Sequence, residues 1–128
     1  MLLSPAVQGA NALPRARLRE HRMSQIETLL GRIQKFADER DWEQFHSPKN
    51  ISMALAVEAS ELLEHFQWMS QEESRNIQGD KKLEVADEVA DVFLYLLRMC
   101  EQLDIDLIEA AHQKIDKNAI KYPVKFSK

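Results

Sequence analysis

The stretch KKLEVADEVADVFLYLLRMCEQL, residues 81–103, decides the fold of this chain. Its apolar side chains recur three or four residues apart, which is the spacing of one face of an α-helix. The members of this apolar stripe are Ala86, Val89, Ala90, Phe93, Leu96, Leu97 and Cys100. A polar stripe runs beside it, formed by Glu84, Glu88, Asp91 and Tyr95. The stretch therefore predicts a half-buried helix with acids along one edge.

A second stretch, ISMALAVEASELLEHFQW at residues 51–68, has the same double pattern. Its polar stripe consists of Glu58, Glu61, His65 and Trp68 at helical spacing. Each stripe carries two acids three residues apart, so each pair points two carboxylates the same way. Both stripes end in an aromatic residue, as a pocket with a metal ion at one end and a flat ring at the other requires.

Packing these two helices side by side would bring the four carboxylates into one half-buried seam. At about 4 Å and an effective dielectric constant near 20, each like-charge contact costs roughly 4 kcal/mol. A cation removes this cost, and oxygen ligands without Cys or His favour Mg²⁺ or Mn²⁺. The alternative is a solvated acidic face, the usual role of a single ExxE pattern on a helix.

The rest of the chain predicts two further long helices. Helical spacing covers residues 25–40, and another helix starts at Asp104 or Asp106 and stops at Tyr122-Pro123. Three glycines and four prolines among 128 residues fit an all-helical protein. We therefore expect an all-α, antiparallel four-helix bundle with short connections.

Two connections have recognisable turn chemistry. Residues 41–50 predict a loop, since they mix aromatic and polar residues around Pro48, and either Ser47 or Asn50 is a suitable cap for the helix that follows. Ser70 and Glu73 resemble a capping box, which predicts a short helical turn.

Residues 1–22 differ in composition from the rest of the chain. They contain two prolines, a glycine, four arginines and one acid, without sustained periodicity. Met23-Ser24 then opens an amphipathic helix and is a natural start. We interpret residues 1–22 as an extension that is disordered or non-native, and residues 23–128 as the folded domain. An Arg-rich, acid-poor segment is also typical of an organelle transit peptide.

Composition restricts the classes of partner. A formal net charge of −4 argues against nucleic-acid binding, which needs a basic face. No apolar stretch approaches the roughly 20 residues of a membrane span. The single Cys100 permits no disulfide within one chain, which favours a reducing compartment. We expect one soluble cytoplasmic domain that binds neither nucleic acid nor membrane.

A ferritin-like di-iron centre is an alternative use of acids inside a helical bundle, and it requires two Glu-x-x-His motifs. Glu109-Ala-Ala-His112 lies on a predicted helix, but the other instance, Glu43-Gln-Phe-His46, falls in the predicted loop. The spacing therefore gives a di-iron centre little support.

The ordered combination of Glu58-x-x-Glu61 and Glu88-x-x-Asp91 resembles the MazG-type all-α nucleoside triphosphate pyrophosphohydrolases. Within that family the chain is most similar to the small dCTP pyrophosphatase branch. The supporting segments are ERDWEQFH at 39–46, PKN at 48–50, EHFQW at 64–68, and Lys114, Asn118 and Lys121-Tyr122-Pro123. The resemblance covers about residues 25–123.

This resemblance implies Mg²⁺-dependent hydrolysis of (deoxy)nucleoside triphosphates between the α and β phosphates. The metal ligands implied are Glu58, Glu61, Glu88 and Asp91, with Mn²⁺ as a substitute ion. Glu61 would also orient or deprotonate the attacking water. Four carboxylates and a triphosphate bring about eight negative charges together, which favours more than one cation. Residues Lys49, Lys114 and Lys121 would offset part of the remaining charge.

The resemblance also implies a nucleotide pocket. Trp42 and Trp68 match positions that pack around the nucleobase, and His46, Asn50 or Tyr95 would refine base selection. Lys114, Asn118, Lys121 and Tyr122 match a phosphate-contacting tail. Without the resemblance, the tryptophans would be ordinary packing residues and the tail a solvated helix end.

One position departs from the dCTP-selective pattern, since Ile33 stands where that branch has a histidine in the base pocket. The base preference therefore stays open among dCTP, modified pyrimidine nucleotides, dUTP and phosphoribosyl-ATP. Members of this family usually form dimers or tetramers, so we expect a homo-oligomer, with a tetramer favoured. The competing hypothesis is a non-catalytic helical oligomerisation module whose acids face solvent.

Overall fold

The computed structural model describes residues 15–125, with side chains from Gln25 onward. The chain forms five α-helices, which are α1 (Arg15–Glu39), α2 (Pro48–Glu64), α3 (Gln71–Arg75), α4 (Gly79–Gln102) and α5 (Leu107–Lys121). A 3-10 helix, Glu43–Phe45, lies between α1 and α2. The described residues contain no strand, so the all-α prediction is confirmed, with the short α3 added to the four long helices.

Polar caps begin three of the helices. Ser47 caps α2 by accepting a hydrogen bond from a backbone N–H three residues on, and Pro48 occupies the first turn. Ser70 and Glu73 form the predicted capping box, in which each side chain accepts from the other's backbone N–H at 3.1 Å. Asp106 caps α5 in the same manner as Ser47 caps α2. Each such cap stabilises its helix by about 1 kcal/mol.

The predicted end of the second helix is wrong. α2 stops at Glu64, because the backbone N–H groups of His65 and Phe66 bond three residues back, which tightens the chain into a turn. Trp68 therefore lies beyond the helix. The predicted loop is also shorter than expected, since Pro48 begins α2 and residues 43–45 form the 3-10 helix.

α1 begins at Arg15, ten residues before the predicted start, so residues 15–22 of the predicted extension are helical. Residues 1–14 lie outside the described part of the chain. The boundary between extension and domain stays a prediction.

The most extensive helix contact joins α2 to α4. The two helices run antiparallel, as three pairs along them show. His46, before α2, accepts from Gln102 at the end of α4, whereas His65, after α2, contacts Lys81 at the start of α4. Between these pairs, Glu58 faces Glu88. This register places the two predicted acidic pairs opposite one another.

The buried core is small and lies near the C-terminal half of α4. Among the described residues, Ala37, Ile51 and Leu97 are the buried hydrophobic side chains, and they come from α1, α2 and α4. The predicted inward stripe of α4 is only partly correct, because Val89 is 50% exposed and Phe93 is 39% exposed. α1 meets α4 near Arg98, whose guanidinium donates to Gln34, whereas α2 packs along the preceding turns of α4.

The first turn of α5 closes a cleft of about 290 Å³ against α1 and α4, lined by residues such as Leu30, Cys100 and Ile108. Beyond that turn α5 is exposed, including Ile115 and Ile120. None of the helices in the described region has the combination of length and apolar character needed to cross a membrane.

Candidate metal centre and nucleotide pocket

Four carboxylates converge where the middle of α2 meets α4. One oxygen from each of Glu58, Glu88 and Asp91 lies within 4.8 Å of the others. Glu61, one turn beyond Glu58 on α2, lies beside this group, and its charge raises the pKa of both Glu58 and Glu88. The predicted convergence of these residues is therefore present in the structure. Their role as metal ligands stays a prediction.

The crowding of these acids changes their titration. Burial, the hydrogen bond with Glu61 and the charges of Glu61 and Asp91 raise the pKa of Glu58 to about 7. Burial and the neighbouring Glu61 also raise the pKa of Glu88. Like charges at short range disfavour a second ionisation, so the cluster retains protons unless a cation replaces them.

Two oxygen atoms in the cluster lack any partner. The Oε2 atoms of Glu58 and Glu88 are buried and have no hydrogen bond among the described residues. Buried polar atoms are normally satisfied, so this pair of oxygens is suited to binding a ligand. The atoms available as metal ligands are carboxylate oxygens, and the group contains no sulfur or imidazole. Mg²⁺ and Mn²⁺ prefer such oxygen ligands. The residues present fit a hard divalent cation.

The polar stripe of α4 divides into parts with different surroundings. Glu84 lies outside the acidic cluster, because its carboxylate pairs with Lys81 at 3.8 Å and with His65 at 3.9 Å. Tyr95 lies one helical turn beyond Asp91 on α4, and burial and then the charges of Glu58 and Asp91 raise its pKa. The phenol thus remains protonated and places a hydrogen-bond donor at the edge of the seam.

Trp42 and His46 form a second feature on the segment that precedes α2. Their ring centroids are 5.9 Å apart with planes inclined by 56°, and the Trp42 and Phe36 ring centroids are 5.3 Å apart in an edge-to-face arrangement. Trp42 is 39% exposed, so part of its ring is accessible. Burial and then the charge of Arg98 lower the pKa of His46, which keeps this imidazole neutral.

Other predicted substrate-binding residues are exposed. Lys49 lies on the first turn of α2, and the Asn50 side chain donates to the Phe45 carbonyl at 2.9 Å. Trp68 is 89% exposed, so it does not stack on Trp42 within one chain. The two tryptophans therefore do not form a single sandwich in this chain.

The structure does not bring the predicted phosphate-contacting tail to the acids. Lys114, Asn118, Lys121 and Tyr122 are all exposed on or after α5. Within the described region α5 packs extensively on no other helix. The Lys121 ammonium lies 5.3 Å from the Tyr122 ring rather than near a carboxylate of the cluster.

Arg98 is a buried charged residue whose importance the sequence patterns did not reveal. It is 2% exposed, and its guanidinium donates to Glu43 at 2.8 Å and to Gln34 at 2.6 Å. One signal was available, because Arg98 follows Tyr95 by three residues and so continues the polar stripe of α4.

Residues 53–128 match the model of the MazG-like family, which is more than half of the chain. The chain belongs to the MazG-like family. A solved pyrophosphatase from Archaeoglobus fulgidus is 42% identical, with a TM-score of 0.73 over 78% of this chain and 94% of that protein. The resemblance stated from the acidic motifs is thereby confirmed.

Curated proteins similar in sequence to this chain include mammalian proteins named dCTP pyrophosphatase 1. Rat dCTP pyrophosphatase 1 is 41% identical over 96 residues, which cover 73% of this chain and 56% of the rat protein. The mouse protein of the same name is 42% identical over the same shares. The human protein of that name is 38% identical over 91 residues, which cover 70% of this chain and 54% of the human protein. The chain thus spans a little over half the length of these relatives.

Proposed function

We propose that this MazG-like chain hydrolyses (deoxy)nucleoside triphosphates between the α and β phosphates, releasing a nucleoside monophosphate and pyrophosphate. The observation that carries the proposal is the acidic cluster, in which buried oxygens of Glu58 and Glu88 have no partner. A cluster held together against its own repulsion is costly without a cation. The divalent ions that accompany a triphosphate would supply the compensating positive charge.

Glu58, Glu88 and Asp91 would hold Mg²⁺ or Mn²⁺, because each offers one oxygen to a common centre. When bound, such an ion polarises the phosphoryl oxygens and lowers the pKa of a coordinated water. We assign Glu61 the role of orienting the attacking water and holding its proton. Glu61 lies one turn beyond Glu58 on α2, and its charge raises the pKa of both Glu58 and Glu88, so its carboxylate is close to the proposed ligands.

Tyr95 and the pair Trp42 and His46 would form the nucleoside side of the pocket. Tyr95 and the acids share one stripe of α4, so the phenol would adjoin the phosphates. An exposed indole face such as that of Trp42 stabilises a stacked base by roughly 1–3 kcal/mol and discriminates weakly among bases. Selectivity would then depend on His46, Asn50 and the residues around Ile33.

We propose dCTP or a modified pyrimidine nucleotide as the preferred substrate. The support is the name of the mammalian relatives, dCTP pyrophosphatase 1. Ile33 argues against strict selection of dCTP, so dUTP and phosphoribosyl-ATP belong in the same substrate panel. Such an enzyme would act on the nucleotide pool of the cytoplasm.

We also propose that the chain functions as a homo-oligomer, a dimer or a tetramer. At least half of the surface is exposed at four apolar residues, which are Val57 on α2, Val89 on α4, and Ile115 and Ile120 on α5. A second copy would cover these apolar side chains. It would also supply Trp68 and the basic tail of α5 to a neighbouring acidic cluster, since both lie away from the cluster of their own chain.

Phosphorus NMR on a panel of nucleotides with Mg²⁺ tests the proposal. Pyrophosphate together with a monophosphate supports it. Orthophosphate together with a diphosphate contradicts it, since the broken bond would then join the β and γ phosphates. Absence of turnover across the panel would favour the non-catalytic oligomerisation module.

A further inference from the structure

Arg98 is buried on α4 and has three side-chain acceptors. Its guanidinium donates to Gln34 of α1 at 2.6 Å, to Glu43 at 2.8 Å and to Glu101 at 3.3 Å. A buried guanidinium is costly unless it is paired, so these contacts hold their partners firmly. The planar fork of arginine suits several acceptors at once.

Glu43 is the residue through which Arg98 reaches the segment before α2. The Gln34 side chain also donates to the same Glu43 oxygen at 2.9 Å. These hydrogen bonds, first from Gln34 and then from Arg98, lower the pKa of Glu43, so it remains a carboxylate. Glu43 opens the 3-10 helix, and its neighbours in sequence are Trp42 and the residues leading to His46.

A second contact fixes the other end of this segment. The Gln102 side chain donates to the backbone carbonyl of His46. Arg98 and Gln102 are four residues apart, so they lie on one face of α4. The segment carrying Trp42 and His46 is therefore attached to α4 at both ends.

The same face of α4 carries the acidic cluster. Asp91, Tyr95 and Arg98 follow at intervals of four and three residues. At 1.5 Å per residue, Arg98 lies about 10 Å along the axis from Asp91. One rigid helix thus sets the spacing between the acids and the Trp42–His46 ring pair.

We propose that Arg98 is a positioning residue for nucleobase binding. By holding Glu43, it fixes the distance and inclination of the Trp42 and His46 rings relative to the acids. It acts on binding through this segment and leaves the hydrolytic carboxylates unchanged. This inference rests on the proposed function, because that function assigns the base to Trp42 and His46.

The first test uses Glu43→Gln, because Glu43 is exposed and the variant keeps its shape. We expect KM for the best nucleotide of the panel to rise about fivefold or more while kcat stays within about twofold, the pattern of lost uniform binding. Arg98→Lys keeps the charge but not the planar guanidinium. Its KM should lie between the KM of wild type and that of Arg98→Met. Glu72→Gln is the matched control, since it removes an exposed pair with Arg75 at 3.7 Å.

The second test needs no nucleotide. The chain has two tryptophans, so Trp68→Phe leaves Trp42 as the single indole fluorophore. In this background Glu43→Gln should increase acrylamide quenching of Trp42 and reduce its fluorescence anisotropy, whereas Glu72→Gln should change neither.

Several results would overturn the inference. Unchanged quenching of Trp42 in Glu43→Gln would show that Arg98 does not position this ring. A fall in kcat at constant KM would place the effect in the hydrolytic step. If wild type turns over no nucleotide, the proposed function fails, and the quenching experiment still decides whether Arg98 positions Trp42.

Discussion

Glu58 of α2 and Glu88 of α4 each place a carboxylate oxygen within 4.8 Å of the other, and one buried oxygen of each has no hydrogen-bond partner in the described part of the chain. This relationship joins the two helices that form the most extensive contact in the fold. The main packing contact and the main electrostatic cost of the chain therefore coincide. Binding of a cation at this position would relieve the cost without changing the packing.

The acidic cluster predicts an unusual dependence of stability on pH. Burial and the neighbouring acids raise the pKa of Glu58 from 4.5 to about 7. The folded chain thus holds this proton more tightly than the unfolded chain, and the resulting stabilisation is lost as pH rises from about 4.5 through about 7. Thermal unfolding in a metal chelator should show Tm falling over this range, and Mg²⁺ should restore it most above about pH 7. The Tm of Glu58→Gln should depend less on pH and rise less with Mg²⁺ than that of wild type. An equal slope of Tm against pH in the two proteins would contradict the assignment to Glu58.

Glu61→Gln should abolish turnover, with kcat lower by a factor of about 100 or more, because the amide cannot hold the proton of the attacking water. Its metal-free Tm should equal or exceed that of wild type, since the substitution removes one charge from a crowded group. Steady-state kinetics and thermal unfolding measure the two effects. Glu64→Gln, three residues along α2 and exposed, is the control that should retain activity. Retained activity in Glu61→Gln would exclude this residue as the base.

Two acids on the same stripe of α4 should differ in metal binding. Glu88→Gln should weaken Mn²⁺ binding by more than about tenfold, because it removes an oxygen from the common centre. Glu84→Gln should leave Mn²⁺ binding unchanged, since Glu84 pairs with Lys81 and His65 outside the cluster. Titration followed by electron paramagnetic resonance of free Mn²⁺ compares the two. Equal losses in both variants would indicate a diffuse acidic surface.

The exposed face of α5 should mediate assembly. Ile115→Glu should dissociate the oligomer and lower turnover, because a charge replaces an apolar side chain that is 64% exposed in the single chain. Gln113→Glu introduces the same side chain two residues away, on the opposite face of the helix, and should leave assembly intact. Sedimentation velocity gives the oligomeric state of each variant. A wild-type protein that sediments as a monomer would refute the proposed oligomer.

The sequence by itself was sufficient for features that depend on residues close together in the chain. The periods of α2 and α4 placed Glu58 beside Glu61 and Glu88 beside Asp91, because helical geometry decides which side chains share a face. The capping box of Ser70 and Glu73 was equally evident, since both of its hydrogen bonds span three residues.

Tertiary structure decided what depends on contacts between distant residues. The antiparallel register of α2 and α4 sets Glu58 opposite Glu88. The spacing of residues within one helix does not determine how two helices are aligned. Arg98 meets Glu43 across 55 residues, so its burial could not be read from the apolar stripe around it. The end of α2 at Glu64 and the exposure of Trp68 likewise follow from the turn that returns the chain to α4. Local propensity is a property of a short segment, whereas burial and ion pairing depend on which segments the fold brings together.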